Sequence, residues 1–104
     1  MKVRRWLDKD GPLGEESARA LYQPEYKYRV FRREIPEASR FAGEAEGRTL
    51  VGLQGRFLIA VAGDKQVVEP GDLVDVPEGE FLFACEGPVA FLAVYRLPPE
   101  TWPN

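Results

Sequence analysis

The chain has 104 residues, 44% of them hydrophobic and 30% charged, with a net charge of −3. That is one domain's worth of sequence with a modest core, and it offers no overall electrostatic case for nucleic acid. There is no histidine, which excludes His acid–base catalysis, Ser-His-Asp and Cys-His nucleophile systems, and any His-ligated metal. Residues 1–40 carry ten Lys/Arg against seven Asp/Glu, whereas 41–104 carry four against ten. The expectation is that the two parts complement each other within the fold. The lone Cys85 cannot form an intrachain disulfide, and neither an apolar run of about 18 residues nor a signal-like segment stands out. A cytoplasmic protein is therefore expected. Arginine outnumbers lysine ten to four, Asn104 is the only asparagine and there are nine prolines. This composition resembles that of thermophiles.

In chain order, Val3–Leu7 reads as a short strand ended by the turn-like run Asp8–Pro12. Glu15–Tyr22 reads as the one helix, with Glu15 and Glu16 at its positive end and Pro24 stopping it. From Tyr28 onward the pattern is strand. The predicted strands are Tyr28–Ile35, Arg48–Leu53, Arg56–Ala62, Gln66–Glu69, Leu73–Val76, Glu80–Cys85 and Val89–Leu97, separated by Gly and Pro. The expected organisation is a single domain: an N-terminal strand and helix over 1–27 packed on a β-rich body over 28–97, then a tail over 98–104. Short strands at this spacing indicate an antiparallel sandwich or barrel.

Two of these strands are apolar on both faces. In Phe81–Cys85 the set Phe81, Phe83 and Cys85 opposes Leu82 and Ala84. In Val89–Tyr95 the set Val89, Phe91, Ala93 and Tyr95 opposes Ala90, Leu92 and Val94. A half-buried antiparallel strand alternates, so both faces here need cover. The expectation is a homodimer that covers the outer faces, tested by Phe83→Glu, with the N-terminal segment as the alternative cover.

The run Gly71-Asp72-Leu73-Val74-Asp75-Val76-Pro77-Glu78-Gly79 carries Gly, Pro and Gly at the spacing of the second signature of the cupin superfamily, which it resembles. Gly55 falls at the glycine that ends the first signature. The resemblance covers about residues 28–97. It implies an all-β fold: a cupin-like antiparallel β-barrel, or double-stranded β-helix of jelly-roll type, with a short N-terminal helical segment. The family's metal ligands are missing. Its second-signature His position holds Leu82, and the Asn that follows is Glu86. The first-signature Glu position holds Arg48, and the two His positions fall on Ala42 and Glu44, or on Phe41 and Gly43 if the gap is one longer. A metal-free protein without cofactor is therefore expected.

Arg48 at a ligand position should point inward near the mouth, where a guanidinium needs a carboxylate such as Glu44, Glu46 or Glu86, or a bound anion. Leu82 would then form the pocket floor and Cys85 would face outward. Tyr22, Tyr26, Tyr28 and Tyr95 could line the opening, and Trp6 and Trp102 should anchor the terminal segments. Arg48, Glu44, Glu46, Glu86 and Tyr95 are the candidate ligand-binding residues. The expected function is a non-enzymatic module that binds a small, anionic molecule or acts as a dimeric structural or sensor unit, without nucleic acid or membrane partners. The alternative is a metal-independent isomerase or lyase using Glu, Arg and Tyr at the mouth.

Overall fold

Nine strands, β1 (Lys2–Arg5), β2 (Tyr28–Ile35), β3 (Ser39–Ala45), β4 (Arg48–Gln54), β5 (Phe57–Val61), β6 (Asp64–Val68), β7 (Asp72–Val76), β8 (Gly79–Cys85) and β9 (Val89–Arg96), make up most of the computed structural model, which describes residues 1–103. A short helix, α1 (Glu15–Leu21), lies between β1 and β2, and Asp8–Asp10 and Pro99–Thr101 form single 3₁₀ turns. The strands form two antiparallel sheets rather than one closed ring, in the orders β1-β7-β4-β9-β2 and β3-β8-β5-β6.

The sequence reading places every strand but β3, whose residues Ser39-Arg40-Phe41-Ala42-Gly43-Glu44-Ala45 have little intrinsic strand preference. What makes this segment a strand is its partner: all seven residues pair with β8, from Ser39 against Cys85 to Ala45 against Gly79. Tertiary pairing overrides local propensity here. The β5–β6 turn is a two-residue one. It is built on Ala62 and Gly63, at φ +50° and +83°.

The space between the sheets is filled by Ile35, Leu50, Phe57, Ile59, Val74, Phe83, Phe91 and their neighbours. Phe83 is 2% exposed, stacked between Phe41 at 4.8 Å and Phe57 at 5.0 Å. This reverses the assignment of faces on β8. Phe81, Phe83 and Cys85 face inward, while Leu82, facing Ala60 and Ala42 on the neighbouring strands, shares the outer face. Leu82 is not a pocket floor, Cys85 does not face outward, and Phe83→Glu would break the core rather than probe an interface.

A second apolar layer lies on the outside of the five-stranded sheet. Val30, Val51, Leu73, Leu92 and Val94 are covered there by Trp6, Leu13, Ala18 and Tyr22 of the N-terminal segment. The second face of β9 is thus covered by its own chain and needs no partner, which removes that part of the case for a dimer. Trp6 donates its indole N–H to the Gly11 carbonyl at 2.8 Å, locking the segment down. Trp102 does the same at the other terminus, donating to the Leu97 carbonyl at 3.2 Å beneath Lys27 and Arg96. The uneven charge of the sequence resolves partly into ion pairs between its two parts, Arg4 with Asp75 at 2.9 Å and Arg5 with Asp72 at 2.6 Å. Burial opposes the charge of Arg4, but the hydrogen bond and charge of Asp75, with Tyr22 adding, raise its pKa above the ordinary value.

Gly55 and Gly71 carry the turns the motif requires. Gly55 has φ +68°, and a Cβ on it would lie 2.3 Å from the Pro88 carbonyl oxygen. Gly71 has φ +90°, and its N–H donates to the Gly52 carbonyl at 2.9 Å. A side chain at either position meets a conformation that L-residues avoid.

A candidate ligand pocket between the sheets

On the inward row of β4, Arg48 precedes Leu50, so its side chain enters the gap between the sheets at one end. The gap leaves a small open cavity of about 60 Å³. Phe31, Phe41, Leu50, Phe81, Phe83 and Phe91 supply much of its apolar wall, and among the described residues Arg33 and Arg48 are its only charged lining residues. The wall includes no Asp, Glu, Tyr or Cys.

Each arginine lies over a ring. The Arg48 guanidinium is 5.5 Å from the Tyr95 centroid, and that of Arg33 is 5.5 Å from the Phe41 centroid. Such stacking stabilises and orients a guanidinium while leaving its N–H fork free for an acceptor. The Arg48 Nε–H donates to the Glu46 carbonyl oxygen at 3.2 Å. No carboxylate among the described residues forms an ion pair with Arg48 or Arg33.

The expected constellation therefore comes together only in part. Arg48 and Tyr95 meet, and Glu46 contributes through its backbone alone. Glu44 stands opposite Glu80 on the outer face of β3 and β8, and Glu86 lies beyond the end of β8, on the far side of the sheet. The carboxylate partner expected for Arg48 is absent because half-burial beside solvent does not force a neutralising charge. Of the four tyrosines, Tyr22 and Tyr28 flank a groove at one end of the five-stranded sheet with Arg48 and Tyr95, and Tyr26 is exposed. Arg33 escaped the sequence reading because an Arg32-Arg33 pair in a strand looks like a solvated edge. Its signal was the period-2 row Phe31, Arg33, Ile35, which places it inward.

No protein-family model matches the chain, and no curated protein matches its sequence. Solved structures do. A cupin superfamily protein from Desulfitobacterium hafniense superposes with a TM-score of 0.60 at 17% identity, covering 69% of each chain. The cupin domain of an XRE family transcriptional regulator from Enterobacter cloacae gives 0.61 at 13% identity over 93% of this chain and 96% of that one. The fold is the cupin fold. A putative ethanolamine utilization protein from Salmonella typhimurium also matches, at a TM-score of 0.61 and 18% identity, over 69% of this chain. The chain spans just over half, 58%, of that protein's length.

Within the cupin frame, the structure decides which register of the signatures faces inward. Ala42 and Glu44 lie on the outer face of β3, and Phe41 and Gly43 occupy its inner row. The inner residues beside Leu82 are Phe81 and Phe83. A transition metal needs three or four converging N, S or O donors. Here the inward positions carry phenyl rings, glycine and arginine, and no three Cys, Asp or Glu side chains cluster among the described residues. The residues present do not fit a cupin metal centre.

Proposed function

We propose that this cupin-domain protein is a non-enzymatic binding module whose pocket, held in an open jelly-roll container, takes a small carboxylate with a short apolar body. The observation that carries the reading is a phenyl-lined cavity whose only charged groups are two arginines without an ion-pair partner among the described residues. An apolar body buried against the rings gains roughly 25 cal/mol per Å². A carboxylate at the mouth meets the guanidinium fork, a charge-assisted contact of about 1.5–3 kcal/mol. The volume of about 60 Å³ is well below the several hundred Å³ of typical ligand pockets, so only a few carbons fit inside. Among the described residues the lining holds no Asp, Glu, Tyr, Cys or Lys, which favours binding over isomerase or lyase chemistry.

The reading is tested by titrating the protein with propionate, butyrate and their neutral amides, following backbone amide NMR shifts. The carboxylates should bind with shifts centred on Phe31, Phe41 and Phe81, and the amides at least about tenfold more weakly. Arg48→Gln should reduce carboxylate binding by a similar factor. Equal affinity for acid and amide, or no shift at about 20 mM carboxylate, overturns the proposal.

A further inference from the structure

Four neighbouring strands of the five-stranded sheet, in the order β7-β4-β9-β2, are antiparallel, so β2 and β4 begin at the end where β7 and β9 finish. That end gathers Tyr28 of β2, Arg48 of β4, Asp75 of β7, and Tyr95 and Arg96 of β9, and Tyr22, the residue after α1, comes down beside them. They border an open groove of about 300 Å³. This volume reaches the lower end of the range of small-molecule sites, which the interior cavity does not.

The charges around the groove do not cancel. Asp75 is its one acidic lining residue among those described, and it is engaged: its Oδ1 accepts from Arg4 at 2.9 Å and from the Thr49 hydroxyl at 2.8 Å. Arg48 and Arg96 have no ion pair among the described residues. Each guanidinium lies over a ring, Arg48 over Tyr95 at 5.5 Å and Arg96 over Trp102 at 4.8 Å. Stacking holds the guanidinium plane and leaves its N–H groups for an acceptor. With Asp75 matched by Arg4, two positive charges remain on one groove.

The ring chemistry is as specific. Tyr22 and Tyr28 are half-buried and meet edge to face, with centroids 5.6 Å apart at 62°. A pair of this kind leaves a ring face open to a third flat group. A carboxylate occupies one guanidinium fork. Two forks suit a group with three terminal oxygens and a charge near −2, which is a phosphomonoester. We infer that this groove binds a phosphomonoester carried on a flat ring system, with the phosphate held by Arg48 and Arg96 and the ring against Tyr22 and Tyr28. The site goes beyond the cavity between the sheets: Arg48 and Val76 border both, but Tyr22, Tyr28, Tyr95 and Arg96 border the groove alone.

Two sources carry that chemistry, a nucleoside monophosphate and a phosphorylated phenol. Adenosine 5′-monophosphate and phenyl phosphate represent them in titrations of the full chain at low salt, with adenosine and inorganic phosphate as the separated parts. Backbone amide NMR shifts should centre on Tyr28, Thr49 and Arg96. At least one ester should bind about tenfold or more tighter than either part, and the tighter ester names the source. Arg96 is exposed, so Arg96→Gln leaves the fold intact, and it should weaken the ester at least about tenfold. Tyr28→Leu keeps an apolar side chain without a flat face, and should weaken the ester at least about threefold while leaving inorganic phosphate unchanged. No shift with either ester at about 10 mM overturns the inference, as do inorganic phosphate binding as tightly as the esters and an Arg96→Gln or Tyr28→Leu chain that binds them like wild type.

Discussion

Arg48 shows how far one inward position constrains behaviour. Were it paired with a buried carboxylate, its removal would strand that charge and cost about 3–5 kcal/mol. The structure gives it a tyrosine face and one backbone carbonyl instead. Arg48→Ala should therefore cost only about 0.5–1 kcal/mol of stability in urea unfolding, the worth of a half-exposed cation–π contact. Phe83 is the opposite case. It is 2% exposed among three other phenyl rings, so Phe83→Ala should cost about 3–5 kcal/mol by the same measurement. Ala62 is a third case. It holds φ +50° in the β5–β6 turn next to Gly63 at +83°, the pairing that Asn-Gly fulfils without strain. Ala62→Asn should raise stability by about 0.5–1 kcal/mol, read as a shift of the urea midpoint with an unchanged slope.

At the scale of elements, the N-terminal segment acts as a lid on the five-stranded sheet. α1 has seven residues, too few to be stable alone, so it exists because Ala18 and Tyr22 pack on Val30, Leu92 and their neighbours. Trp6 is the anchor, both through its ring and through its N–H bond to Gly11. Trp6→Ala should lift this segment. The expected result is a loss of about 3 kcal/mol or more together with binding of a hydrophobic dye to the uncovered sheet. Loss of stability without dye binding would mean that other side chains close over the face.

For the whole molecule, the inward positions around the cavity carry Arg48, Phe41, Gly43, Phe81 and Phe83, none of which donates to a transition metal. Protein purified without chelator should carry less than about 0.1 transition metal per chain by elemental analysis, since tight binding needs a converged ligand set. Near-stoichiometric Zn, Fe, Mn or Ni would contradict this reading. Among the described residues no helix is long and apolar enough to cross a membrane.

The amino-acid sequence by itself determined the all-β character, the positions of eight of the nine strands and, through Gly55, Gly71 and Pro77, the cupin resemblance. These features are local: period-2 alternation, Gly and Pro at turns, and a helix bounded by Glu15 and Pro24 are set by near neighbours in the chain. Tertiary structure alone decided what depends on which face of a strand turns inward. β8 and β9 are apolar on both sides, so alternation could not distinguish Leu82 from Phe83, and the wrong choice displaced Cys85 and the dimer test with it. β3 became a strand through pairing with β8, and Arg33 became a pocket residue because an edge strand brought it over Phe41. Of the carboxylates proposed for Arg48, Glu44 and Glu86 lie on the outer face of the other sheet, and Glu46 reaches Arg48 only through its backbone carbonyl. Proximity across a β-sandwich is set by register and by which sheet each strand joins, and neither is encoded in the spacing of residues along one strand.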